Sequence, residues 1–255
     1  MPSSKKGDGV GFWKAKMLRI TAFPTKTTPL GSRDFWSELG IGESETQEKS
    51  KVSVTNQGPF NENWLIVANA GTRIDWLYVP TPTNEQIAEF LDVGEFEEAC
   101  GSFLGLLTPW FENSGLSLNR LAFGAVLNHS VSDRYEGYSA ISAYLPFDLD
   151  AETSRDFSYQ INRPANSRLV NNIQINRLGQ WSVAAMATVR GDALLNLSPL
   201  TNPFESENAS FACEVTLDIN TVPQAGLEID GAMTKLLLEE FMEIGELLAE
   251  KGDNQ

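Results

Sequence analysis

The chain has 255 residues, of which 42% are hydrophobic and 21% are charged, and its formal net charge is −15. This composition is typical of a globular protein and excludes an intrinsically disordered one. The longest apolar runs are far shorter than the roughly 20 residues that span a bilayer, and the surplus of negative charge disfavours contact with nucleic acid.

The amino-terminal residues 1–11 are polar and lack periodicity, which predicts a mobile tail followed by a single α+β domain over 12–255. No apolar targeting segment follows the first lysines, so we expect a cytoplasmic protein. Apolar residues over 14–23 predict a first strand that ends at Pro24. The polar stretch 24–50 predicts a long connection with one helical turn.

Short strand-like segments begin at residue 51, and the triplet 69–71, Asn-Ala-Gly, is typical of a hairpin turn between two of them. Thr83 then begins a capping-box pattern, and an apolar stripe with helical spacing follows it. This pattern predicts a central helix over 84–108 that Pro109 ends.

The residues after the central helix alternate between apolar and polar side chains over 121–127, 157–161 and 181–189. This alternation predicts a meandering, mostly antiparallel sheet. A loop rich in Gly and Pro over 191–209 precedes a last strand over 211–219.

The carboxyl-terminal segment has the spacing of an amphipathic helix that packs on the sheet. Its apolar side carries Leu237, Phe241, Ile244 and Leu248, and the opposite side carries Glu239, Glu243, Glu246 and Glu250. The glutamates are interpreted as a solvated face or, alternatively, as a docking face for a basic partner.

The sequence contains no recognisable catalytic motif. His129 is the only histidine, which excludes a His-rich metal site, and no GxSxG motif supports a catalytic triad through it. Cys100 and Cys213 lack disulfide or zinc spacing, so we expect buried, reduced thiols. Asp218 and Glu214 on the last strand could in principle bind a metal, but no nuclease-like pattern accompanies them. No phosphate-binding loop or dinucleotide fingerprint is present, and we expect neither a cofactor nor a metal.

The meander contains a short internal repeat, since Gln-Ile-Asn-Arg occurs at 160–163 and again at 174–177. Residues 155–190, which include both copies of the repeat, contain five arginines and no lysine. These arginines are Arg155, Arg163, Arg168, Arg177 and Arg190. Arginine forms bidentate hydrogen bonds with carboxylates and phosphates, so the five are candidate residues for binding a ligand or a partner. The alternative is that they pair with acidic residues of neighbouring strands.

Three segments carry a family resemblance. They are 120–128, which begins Arg-Leu-Ala-Phe, 144–146, Tyr-Leu-Pro, and 215–221, Val-Thr-Leu-Asp-Ile-Asn-Thr, before the terminal helix. The chain resembles a sporadically distributed bacterial family of uncharacterised α+β proteins of similar length, over roughly its last two thirds. The resemblance implies an α+β fold and, because members often lie near mobile or defence genes, a role in a defence-related operon. The family has no established catalytic residues.

The sequence therefore predicts an α+β protein whose mostly antiparallel meandering sheet is packed by a central helix and a carboxyl-terminal amphipathic helix. The leading hypothesis is a non-catalytic interaction protein, such as an accessory, immunity or antitoxin-like component. It would bind a protein partner through an acidic surface or a sheet edge, without contact with nucleic acid or membrane. The alternatives are a small-ligand-binding domain that recognises an anion through Arg163 or Arg177, and a metal-dependent hydrolase built from Asp and Glu.

Overall fold

The computed structural model describes residues 13–82, 90–187 and 209–254 of the chain. Within these ranges it contains ten strands, three α-helices and one short 3-10 helix. The strands are β1 (Lys14–Pro24), β2 (Thr46–Lys49), β3 (Val54–Phe60), β4 (Asn63–Asn69), β5 (Ile74–Val79), β6 (Leu118–Val131), β7 (Ser158–Asn162), β8 (Ala165–Asn166), β9 (Gln174–Ala187) and β10 (Ala209–Thr221). The helices are α1 (Phe96–Asn113), α2 (Arg134–Ser142) and α3 (Gly231–Lys251), and the 3-10 helix is Ser37–Leu39.

The strands form one antiparallel sheet in the order β2-β3-β4-β5-β1-β6-β10-β9-β7, and β8 pairs with β9. β1 and β6 are the central strands, whereas β2 and β7 lie at the two edges. Consecutive strands are mostly spatial neighbours, as expected of meanders joined by short connections. The architecture confirms the predicted α+β class with an antiparallel sheet.

The fold consists of two halves with the same order of elements. In the first half, β1 precedes the 3-10 helix, the meander β2 to β5, and α1. In the second half, β6 precedes α2, the strands β7 to β10, and α3. The last strand of each half pairs with the first strand of that half, and β1 pairs with β6 at the centre. The two halves therefore share one sheet, and α1 packs against α3.

One face of the sheet forms the core. Adjacent strands place four large side chains side by side on this face, and each is at most 1% exposed. In spatial order these are Trp76, Ile20, Phe123 and Ile219. Because side chains alternate along a strand, every second residue of the central strands points into this layer.

All three helices cover that same face. α1 lies over β5, where the rings of Phe103 and Tyr78 stack with centroids 5.9 Å apart. α3 lies over β10, where Gly245 faces Ile219. α2 lies over β9 and β10, and its Gly137 carbonyl accepts a 3.4 Å hydrogen bond from the Cys213 thiol.

The opposite face carries the alternate side chains of the same strands, and no described helix covers it. Two neighbouring rows cross the five central strands on this face. One row is Asp75, Thr21, Ala122, Asn220 and Asn176, and the next is Leu77, Arg19, Gly124, Asp218 and Leu178. The uncovered face is thus polar at its centre.

The central helix begins later than the sequence predicts. α1 starts at Phe96, the residues 90–95 are not helical, and the predicted capping box lies outside the described residues. The Val93 N–H donates to Ala15 O at 2.8 Å, and the Ala15 N–H donates to Gly94 O at 2.9 Å. This pairing with β1, together with a φ of 114° at Gly94, excludes helical geometry at Val93 and Gly94, directly before α1.

Pro109 does not end α1, in contrast to the sequence prediction. The two residues that follow it, Trp110 and Phe111, each pack on Trp76 with ring centroids 5.1 Å apart. Burial of these rings offsets the cost of an interior proline, which is about 3 kcal/mol. The Asn113 side chain also donates to Pro109 O at 2.8 Å.

Three elements were not predicted, namely α2 within the meander, the two-residue strand β8, and β2 within the stretch 24–50. Other predictions are confirmed, including the first strand, the terminal helix and the hairpin turn. In that turn the Gly71 N–H donates to Asn69 Oδ1 at 2.8 Å. The predicted loop 191–209 falls, up to residue 208, outside the described residues. None of the described helices is long and apolar enough to cross a membrane.

Candidate binding surface on the uncovered sheet face

The centre of the uncovered face carries a cluster of polar side chains, here called the open-face patch. It consists of Arg19, Thr21, Asp75, Arg120, Asn176, Asp218 and Asn220. With Arg73 beside Asp75, the surface holds three arginines and two aspartates, whereas the whole chain has 19 Lys and Arg against 34 Asp and Glu. The patch is therefore locally less acidic than the rest of the protein.

Most acceptors of the patch are occupied. Asp75 is 6% exposed and accepts hydrogen bonds from the Thr21 hydroxyl and from Arg73 Nε, both at 2.7 Å. Asp218 Oδ1 accepts from the Asn220 amide at 2.9 Å. Asn220 Oδ1 in turn accepts from Asn176 at 3.0 Å and from Arg120 Nη2 at 3.2 Å. The carboxylates are thus held by neighbours on the same face.

The arginine donors of the patch are largely unused. Arg120 places its guanidinium over the Phe23 ring, 5.3 Å from the centroid, and its buried Nε has no hydrogen-bond partner. Arg19 lies over Gly124, with Nη2 and Nε 3.5 and 3.6 Å from the position that a Cβ there would take. Among the described residues, Arg19 has no ion pair or hydrogen bond through its side chain.

Apolar side chains surround these arginines on the same face. They are half-buried and come from four different central strands. These residues are Phe23, Leu77, Val126 and Leu178. A sheet face that only meets water usually alternates to polar residues, so the mixture of apolar side chains and unused donors is typical of an interface.

The arginines predicted from the sequence lie elsewhere, and two of them come together. Arg163 binds the Asp253 carboxylate through Nε and Nη2, and Arg177 Nε donates to Arg163 O at 2.7 Å. Asp253 also accepts from the Tyr159 hydroxyl at 2.6 Å and is 4% exposed. The hydrogen bond from Arg163 lowers the pKa of Asp253 below its ordinary value. The cavity beside this pair is only about 10 Å³, which is too small for a ligand.

The other predicted arginines are separate from this pair. Arg168 contacts two carboxylates of α3, Glu240 and Glu243, and the hydrogen bond to Glu243 raises the pKa of Arg168. Arg155 is exposed on a loop, and Arg190 lies outside the described residues. Arg163 and Arg168 therefore tie the meander to α3 and the residues just after it. Their role in binding stays a prediction.

A cavity of about 840 Å³ lies at the end of the sheet where β1 begins and β6 ends. Its lining is mostly polar and includes Lys14, Asp92, Glu95, His129 and Phe211. Lys14 Nζ and Asp92 Oδ2 form an ion pair at 3.4 Å, and Glu95 Oε2 is buried without a hydrogen-bond partner. The volume is in the range of small-molecule sites.

The residues considered for metal or nucleophilic chemistry do not assemble into a centre. Glu214 pairs with Lys16 at 3.2 Å, and no group of three or more His, Cys, Asp or Glu that could hold a metal occurs among the described residues. Cys100 and Cys213 are buried as predicted. Burial raises the pKa of the Cys213 thiol to about 12 and that of Cys100 further, so both are protonated at neutral pH.

Sequence reasoning missed Arg19 and Arg120. Both arginines alternate with buried core residues along a central strand. Leu18 and Ile20 flank Arg19, and Leu121 follows Arg120, and all three are buried. That alternation is the signal that places an arginine on the second face. The sequence does not indicate, however, that no described helix covers this second face.

The fold and this surface define a two-layer α+β protein with one sheet face uncovered by its described helices. No family model matches the chain, and no curated protein is detectably similar to it.

Proposed function

We propose that this protein is a non-catalytic interaction protein that holds a protein partner on the uncovered face of its sheet. The observation that supports this proposal is the pairing of unused arginine donors, on Arg19 and Arg120, with half-buried apolar residues on a face that no described helix covers. Arginine and aromatic residues are enriched at the centres of protein interfaces, where they contribute most of the binding energy.

The resemblance to a bacterial family found near defence genes favours a partner encoded by a neighbouring gene. An accessory, immunity or antitoxin-like role fits such a partner. The sequence suggests an acidic surface or a sheet edge for docking, and in the fold these correspond to the acidic side of α3 and the exposed edge strand β2. Docking on each of these surfaces would place different residues next to the partner.

Site-specific photo-crosslinking tests the proposal. A photoreactive amino acid is placed at Thr216 on the uncovered face, at Gln47 on β2, or at Glu239 on α3, and each variant is co-expressed with the products of the neighbouring genes. We expect a cross-linked complex from Thr216 and none from the other two positions. Cross-linking only from Gln47 or Glu239 would overturn the assignment of the uncovered face, and no complex with any neighbour would count against the proposal as a whole.

A second candidate function is small-ligand binding, and the 840 Å³ cavity that contains His129 favours it. This cavity takes the place of the meander arginines as the candidate ligand site, because the space beside Arg163 and Arg177 is closed. Thermal-shift measurements with nucleotides and anionic metabolites test this function. A ligand that raises the melting temperature of wild type but not of Lys14→Met supports binding in the cavity. If no ligand raises the melting temperature of wild type, the small-ligand function is contradicted.

A further inference from the structure

We infer that the partner presents carboxylates to the open-face patch, carried on an extended and otherwise apolar protein segment, and that Arg19 and Arg120 bind them. This inference rests on the proposed function and adds the chemistry of the bound group. Three properties of the patch lead to this inference. Its side chains include unpartnered hydrogen-bond donors, Arg19 and Arg120 are attached at a fixed spacing on the sheet, and apolar side chains lie around them.

Three side chains of the uncovered face carry hydrogen-bond donors without a partner among the described residues. Arg19 has no side-chain partner among the described residues, Arg120 Nε is buried without one, and Asn128 Nδ2 is likewise unpartnered on a residue that is 2% exposed. Asn128 lies on β6, four residues beyond Gly124, and so on the same face. Several acceptors near them are already bonded, namely both carboxylate oxygens of Asp75, Oδ1 of Asn220 and Oδ1 of Asp218. A complementary occupant therefore supplies acceptors, and charged acceptors form the strongest bonds with guanidinium groups.

The two arginines are attached to the sheet two rows apart, and the Arg120 guanidinium reaches from its own row towards Asn220 in the row between them. Arg19 lies over Gly124, its cross-strand partner, and Arg120 lies over the ring of Phe23, its own cross-strand partner. Gly124 and Arg120 are four residues apart on β6, which is about 13 Å in an extended strand. The row of Thr21 lies between them. Two carboxylates four residues apart on an extended segment match this spacing.

The charge of the chain and the apolar residues of the face indicate a protein segment rather than a nucleic acid. A duplex carries one negative charge per roughly 1.7 Å, and a protein of net charge −15 repels such a polyanion. A segment with two carboxylates suffers far less repulsion. The apolar side chains of such a segment would also bury Phe23, Leu77 and Val126, whereas a phosphate backbone would leave these residues exposed to solvent.

The experiment uses the full chain, labelled with ¹⁵N, and blocked ten-residue peptides of Val, Leu and Thr. One peptide has Glu at positions 3 and 7, a second has Gln at the same positions, and a third has its two Glu adjacent. We expect the first peptide to bind about ten-fold more tightly than the second and more tightly than the third, with amide shift changes in β1, β6 and β10.

Arginine substitutions identify the residues responsible. Arg19→Gln and Arg120→Gln should each weaken binding of the first peptide about ten-fold. Lys51→Gln removes the same charge from an exposed loop and should leave the affinity unchanged. Urea unfolding of each variant verifies that the fold is retained, and Arg19→Lys provides a milder change if Arg19→Gln does not fold.

Equal affinity for the Glu and Gln peptides, or no binding of either, would overturn the inference. An equal loss in Lys51→Gln, or tighter binding of a DNA duplex than of the first peptide, would do so as well. Failure of this inference can be distinguished from failure of the proposed function. A partner that cross-links at Thr216 but binds equally well to the double variant of Arg19 and Arg120 leaves the proposed function intact and removes only the carboxylate chemistry.

Discussion

Two buried carboxylates at the carboxyl-terminal end, Asp253 and Glu240, hold the arginine-bearing meander against the rest of the protein. Glu240 is 2% exposed and accepts from the Ser167 hydroxyl and from the Arg168 N–H. Asp253 accepts from Arg163 and Tyr159, and its own N–H donates to a carbonyl next to α2 at 2.8 Å. These bonds connect segments that are far apart in sequence, so they contribute to tertiary stability.

The stability contributed by Asp253 should depend on pH. Its pKa is lowered in the folded state by Arg163, so the folded carboxyl stays ionised at pH values where the unfolded one takes up a proton. The contribution is complete above the ordinary carboxyl range and is lost as pH falls through the lowered folded pKa. Urea unfolding of wild type and Asp253→Asn from pH 7 down to about pH 3 should therefore give a difference in unfolding free energy that shrinks with acid.

Asp148→Asn is the matched control for this measurement, because Asp148 is exposed and its substitution should have little effect at any pH. A difference for Asp253→Asn that stays constant over the whole range would contradict the role of its carboxylate.

At the scale of elements, α2 is fixed by a reciprocal cap at its first turn. The Asp133 carboxylate accepts from the Glu136 N–H at 2.9 Å, and Glu136 Oε2 accepts from the Ser132 N–H at 2.7 Å. The second bond lowers the pKa of Glu136. This arrangement is close to a capping box, and the acidic residues at 133 and 136 were the signal in the sequence that α2 begins here.

Asp133→Ala should lower the free energy of unfolding by about 1 kcal/mol, because it leaves the Glu136 N–H without its acceptor. Urea denaturation measures the change, and Asp148→Ala removes the same charge from an exposed site without a helix cap. Equal effects of the two substitutions would show that Asp133 does not cap α2.

Elements with strong local signals were predicted from the sequence, and those set by distant contacts were not. The apolar stripe of α3 and the alternation in β1 and β6 are local, since burial follows the period of the element. The start of α1 depends on Ala15, some eighty residues earlier, which pairs with Val93 and Gly94. The continuation of α1 past Pro109 depends on Trp76 in β5. Neither contact can be read from the helix itself.

At the scale of the whole molecule, the two halves depend on each other. β1 and β6 pair along most of their length, and α1 packs on α3, so each half alone would expose a central strand edge and apolar helix faces. The connection between the halves passes through the exposed Gly115, where the chain can be cut without removing a strand or a helix.

Fragments 1–115 and 116–255 should therefore not fold separately but should associate when co-expressed. Circular dichroism and urea titration of each fragment should show no cooperative transition, and the co-expressed pair should show one and should elute together in gel filtration. An intact chain with a protease site inserted after Gly115 is the control and should unfold like wild type before cleavage. Cooperative unfolding of either fragment alone would contradict this dependence.

Composition and periodicity determined the α+β class, the antiparallel meander, the buried cysteines and the terminal helix, because these depend on interactions between residues close in sequence. Only the tertiary structure decided which side of the sheet the helices cover. That choice places Arg19 and Arg120 on an uncovered face and pairs Arg163 and Arg168 with buried carboxylates. The physical reason is that alternation assigns a residue to one of two faces, whereas the packing of distant helices determines which face remains open.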